Sequence, residues 1–170
     1  MAKHAFALKK LHAESLPAAH DKAERYRLLN EPVEAESIAL DILAVDPMDQ
    51  RALITLLLAL TDQLDARLAT AYEEAHAILP RLEGEYAKIY YEGILCERRG
   101  CAHHKGTGTS AGEIAGDWYR RAMECYERAE ALRPAGNDDA LIRWNTCARI
   151  LMRHPELEEL ADEPMQSYLE

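Results

Sequence analysis

The sequence lacks any run of the roughly twenty apolar residues that a membrane-spanning helix needs. Its longest apolar segment, Leu56 to Leu60, is bracketed by Thr55 and Thr61 and reads as a buried helix. A surplus of positive charge is also missing: 20 Lys and Arg stand against 30 Asp and Glu, a formal net charge of −10. Clustered cations are what neutralise phosphates and anionic headgroups, so neither nucleic acid nor a membrane surface is an expected partner. Residues Met1 to Lys10 carry Lys and His interruptions where a signal peptide would be apolar, and a cytoplasmic location is the expectation. Residues that favour strands are few, Gly and Pro fall at a handful of places, and Ala and Leu dominate a 48% apolar share. That balance predicts an all-α chain with enough apolar surface to fold alone.

Catalytic signatures are absent too. There is no Ser-centred elbow, no metal-binding helix motif and no cofactor fingerprint, and the carboxylates are spread along solvated helix faces, as at Glu34, Glu36, Glu73, Glu74, Glu127 and Glu130. Glu73 and His76 form a single copy of a half-motif that di-iron bundles need twice. The chain is therefore expected not to be an enzyme and to carry no cofactor. Cys96, Cys101, Cys125 and Cys147 read as reduced thiols, three of them inside helical patterns where a small buried hydrophobe is the ordinary role.

What the sequence does contain is a repeat. Ala122, Tyr126, Ala129 and Pro134 are spaced by four, three and five residues; Leu68, Tyr72, Ala75 and Pro80 share the spacing, and so do Ala35, Ala39, Ile42 and Pro47. Positions four and then three apart share one helix face, small residues there admit a neighbouring helix, and the Pro stops the helix. Pro47 and Pro80 lie 33 apart and Pro80 and Pro134 lie 54 apart, which places an insertion of about twenty residues in the third unit.

The segments AERYRLLNEPVEAESIALDILAVDP, YYEGILCERRG and GDWYRRAMECYERAEALRP, with Gly93 at the small position of the third first helix, resemble the tetratricopeptide family over roughly Ala18 to Arg153. The chain departs from the family pattern at Leu57 and Leu68, where small residues are usual, and in the exchange of Ala39 with Ile42. The resemblance implies a short right-handed α-solenoid of about three and a half helix pairs, at 18–29 and 33–45, 50–63 and 66–79, 84–99 and 117–132, closed by 138–153. A leading helix is expected from Lys3 to Glu14, within a segment 1–17 broken at Leu16-Pro17. The repeat domain would cover 18–154, and an acidic segment 155–170 would cap the stack.

In this family the first helix of each pair lines a concave groove that binds a protein or peptide. Carried over residue by residue, the groove would hold Arg27, Arg51, Ile54, Leu58, Tyr90, Ile94, Arg98, Ile142 and Arg149, with Glu24, Leu28, Asp62, Glu97 and Thr146 beside them. An apolar strip edged by arginines would suit a peptide with apolar anchors and an acidic group; the competing reading makes Leu58 and Ile94 core and the arginines a solvated face. Lysines of the kind that clamp chaperone C-termini are missing, and only Asn145 sits in a comparable place.

Five of the eight glycines fall in GCAHHKGTGTSAGEIAG, which predicts a loop at about 100–116. Lys105-Gly106 reverses the order a phosphate loop requires, so a nucleotide is not expected there. Cys96, Cys101, His103 and His104 supply two thiols and two imidazoles within nine residues, and this set makes a metal-binding accessory protein the alternative reading. A homo-oligomeric structural subunit, with a possible homodimer, is the third.

Overall fold

In a computed structural model, residues 6–107 and 110–157 are described. Among them the chain is all-helical: seven α-helices, with short 3-10 turns at Ala13–Ser15, Leu79–Arg81 and Pro155–Leu157, and no strand. None of these helices is long and apolar enough to cross a membrane. The chain divides into two units, Met1–Gly84 and Glu85–Glu170.

The first unit holds α1 (Leu16–Leu28), α2 (Pro32–Leu43), α3 (Gln50–Thr61) and α4 (Leu64–His76). The leading helix expected from Lys3 to Glu14 lies partly outside the described residues; 6–12 carry no helix, and helical structure begins with the turn at Ala13–Ser15. Pro17 does not break a helix but opens α1, because a first-turn proline has no hydrogen bond to lose and its φ is already helical. Asn30 ends α1 with φ 60, a left-handed conformation that Asn tolerates, and the Glu31 N–H returns to the Tyr26 carbonyl at 2.9 Å. Asp49 caps α3: its Oδ1 accepts the Ala52 N–H at 2.8 Å while its Oδ2 meets His20 Nε2 at 2.9 Å, which draws His20 into the interior.

The core of this unit alternates small and large side chains. Ala23, Ala35, Ala39, Ala52, Ala71 and Ala75 let helices approach, and Ile42, Leu53, Leu57 and Leu64 fill the space between them. Each of the large residues contributes about 1.5–3 kcal/mol by leaving water. The repeat spacing holds in α2, where Ala35, Ala39 and Ile42 are all fully buried. It holds only in part in α4, where Ala75 is fully buried with Leu64 and Ala71 while Leu68 and Tyr72 are half-buried. This helix is kinked at Arg67 (φ −143, ψ 59), whose guanidinium bonds Glu36 at 2.8 Å and Glu74 at 3.0 Å.

The second unit holds α5 (Glu85–His104), α6 (Ala111–Ala131) and α7 (Asp139–Arg153). Gly93 faces Cys125 and Tyr126 while Gly100 faces Ala115, Trp118 and Tyr119, so α5 and α6 run antiparallel in close contact. A Cβ on Gly93 would stand 2.6 Å from the Tyr126 ring, which is why the small position is glycine. The expected loop at about 100–116 is largely helix: α5 continues through His104, α6 starts at Ala111, and the connection is residues 105–110. Glycine's low helix propensity is overridden here by what its missing side chain admits. Gly112 and Gly116 lie under the turn Pro155–Leu157, a Cβ on Gly116 would collide with the Leu157 carbonyl, and Leu157 itself is fully buried. Just ahead of α7, Asn137 Oδ1 accepts the Asp139 N–H at 2.9 Å. Of the expected capping segment 155–170, residues from 158 lie outside those described.

Candidate functional site

Helices α1 and α3 of the first unit enclose a cleft of about 460 Å³. Glu24, Arg27 and Leu28 line it from α1, and Arg51, Ile54, Thr55 and Leu58 from α3. The i, i+4 spacing of Ile54 and Leu58 sets both on one face of α3, while Leu57, further round the helix towards the core, is fully buried. Leu58 and Ile54 are half-buried and Leu28 is exposed, so the floor of the cleft is apolar and reachable.

Charge around the cleft is balanced within the protein. Arg27 Nε donates to Asp62 Oδ2 at 2.7 Å; Arg51 donates through Nε to Glu24 at 2.6 Å and through Nη2 to Asp21 at 2.9 Å. The hydrogen bond from Arg51 holds the Glu24 carboxyl below the usual carboxylate range, and Glu24 in turn raises the Arg51 guanidinium. These arginines therefore form a rim of ion pairs beside the apolar floor.

The second unit treats its expected groove residues differently. Ile94 is core, at 3% exposure, whereas Ile142 is 58% exposed and Arg149 lies on the surface. Tyr90 is half-buried, stacked on Tyr86 with ring centroids 5.6 Å apart and tilted against Tyr126. Arg98 is half-buried. Glu97 turns inward: Tyr126 Oη donates to its Oε2 at 2.6 Å and Arg143 Nη1 to its Oε1 at 3.0 Å. Burial, reinforced by Glu97, holds the Tyr126 phenol well above its ordinary value, and burial pushes the Cys147 thiol up to about 12.

The four residues of the expected thiol and imidazole set go separate ways. Cys96 shares a hydrogen bond with Cys125, which with burial pushes its thiol up; Cys101 meets Tyr119. His103 is half-buried near Arg99, and desolvation lowers its pKa. Of the four, His104 joins a group of three ligand-bearing side chains, and the other two come from the far end of the unit. The ligand atoms of His104, His154 and Glu156 lie within 4.8 Å of one another, the one such group among the described residues. His154 Nδ1 is 2.8 Å and His104 Nε2 is 3.9 Å from Glu156 Oε1, and the imidazole centroids are 4.6 Å apart. A hydrogen bond accepted from its own backbone N–H and the bond to His154 hold the Glu156 carboxyl below the usual range.

The sequence signal for this trio is His154-Pro155-Glu156 together with Gly112 and Gly116 spaced by four, a pattern readable only once the turn is known to lie on α6. No protein-family model, curated protein or solved structure matches the chain.

Proposed function

We propose that the chain is a non-catalytic interaction module of tetratricopeptide type, a short right-handed solenoid of about three and a half helix pairs that holds a peptide or protein partner. The observation that carries this reading is the cleft between α1 and α3. These are the first helices of the first two pairs, and Arg27, Arg51, Ile54 and Leu58, the groove residues assigned to them by resemblance, all line it.

The occupant that fits is an amphipathic peptide. One or two apolar side chains would cover Leu28, Ile54 and Leu58, and polar groups would exchange with the ion pairs at the rim. Because Arg51 is already matched by Asp21 and Glu24, an isolated acidic group gains little there, which shifts the recognition from charge to apolar anchoring. The four cysteines are free thiols, which supports a reducing compartment such as the cytoplasm.

Selection of displayed random peptides on the full chain tests this. Enriched peptides are expected to carry paired apolar residues and to lose binding at least tenfold against Leu58→Glu, with the helical circular dichroism of that variant unchanged. Peptides that bind Leu58→Glu as well as the parent protein defeat the proposal.

A further inference from the structure

We propose that His104, His154 and Glu156 bind a divalent first-row transition-metal ion of the zinc class, which clips the turn after α7 to the end of α5. This site is independent of the α1–α3 cleft and goes beyond the partner-binding reading.

The donor set selects the metal. Two imidazoles and one carboxylate suit zinc, nickel or cobalt, whereas calcium and magnesium require shells built of oxygen. Three protein ligands leave a fourth position for water. Donor atoms around a tetrahedral ion with bonds of about 2.0–2.1 Å stand roughly 3.3 Å apart. The 2.8 and 3.9 Å separations at Glu156 Oε1 bracket that spacing. Side-chain rotation alone can close the difference, since the side chains of His104, His154 and Glu156 are 28%, 42% and 61% exposed.

The scaffold brings these ligands together before any ion arrives. Leu157 is sunk into α6 over Gly112 and Gly116, and its carbonyl accepts from Arg120 Nη2 at 3.3 Å, so the backbone on either side of Glu156 is fixed. His154 is the residue that ends α7, and His104 is the last residue of α5. Helix C-termini carry partial negative charge from their free carbonyls, so both helix ends favour a cation at this place. Two groups fifty residues apart in sequence are thus held in reach of one ion without cost in chain ordering.

The test uses the full chain, free of affinity tag and stripped by chelator, titrated with Co²⁺ alone and then with Zn²⁺ in competition. One equivalent of Co²⁺ should bind with the visible absorption of a low-coordinate site, be displaced by Zn²⁺, and raise the unfolding temperature. Changing His104→Ala or Glu156→Gln should weaken binding by about tenfold or more, while His103→Ala and Cys101→Ser should leave it intact. Circular dichroism separates loss of ligand from loss of fold, and Glu156→Gln, at an exposed position, keeps the test open should His104→Ala misfold. Absence of saturable Co²⁺ binding, its persistence in Glu156→Gln, or its loss in Cys101→Ser would overturn the assignment.

Discussion

Tyr126 of α6 donates its hydroxyl to Glu97 of α5 at 2.6 Å, and the second oxygen of the same carboxylate takes Arg143 of α7, so one buried acid ties three helices together. Replacing Tyr126 with Phe removes one donor and leaves a buried carboxylate oxygen without it. The expected loss is about 1–3 kcal/mol of unfolding free energy, read from the urea midpoint at unchanged slope. A Phe variant as stable as the parent protein would show that the bond contributes nothing net.

The same unit should lose stability at alkaline pH. Burial raises the phenols of Tyr90, Tyr119 and Tyr126, so the folded state keeps them neutral where the unfolded chain ionises them. Their contribution is complete below about pH 10 and falls as pH rises past that value. Part of the tyrosinate absorbance should appear only together with the loss of helical circular dichroism above that pH, the ionisation of these three phenols waiting for unfolding.

Gly93→Ala pushes a methyl group to 2.6 Å from the Tyr126 ring. Overpacking of this kind costs about 1–3 kcal/mol, which exceeds the gain of up to about 1 kcal/mol from replacing glycine inside a helix. Thermal unfolding should therefore start at a lower temperature, against the usual direction for Gly→Ala in a helix.

Thiol labelling should discriminate among the four cysteines. Cys101 is half-buried, whereas Cys96, Cys125 and Cys147 are buried, and the Cys147 thiol is pushed up to about 12. Under native conditions at neutral pH, peptide mass analysis should find Cys101 alkylated first and Cys147 only after denaturant is added. Early labelling of Cys147 would mean that α7 opens readily.

How far the sequence foretold this varies by element and for identifiable reasons. The pattern Ala122, Tyr126, Ala129 located the inner face of α6 correctly, because all three are buried and nothing interrupts the helix. In α4 the same pattern is fully buried only at Ala75; Leu68 and Tyr72 are half-buried in a helix kinked at Arg67, whose guanidinium is held by Glu36 of another helix. The glycines after position 100 were misleading for a related reason: composition reads them as loop, but their use is to admit Tyr119 and the Leu157 turn against helix backbone. At the cleft, Arg27, Arg51, Ile54 and Leu58 are the residues that the family resemblance assigns to α1 and α3, while the ion pairs that occupy both arginines are not legible in sequence, because their partners lie on other helices or further turns. Glu97, which the resemblance sets beside the groove, turns inward instead, and sequence does not show this because its two donors come from positions far away in the chain.

The seat of Leu157 on Gly112 and Gly116 also bears on where the chain can be shortened. A version ending at His154, the apparent close of α7, would strip α6 of its cover and leave a smooth, side-chain-poor groove open to water. Such a fragment should turn adhesive, aggregating on size-exclusion chromatography where the full chain does not.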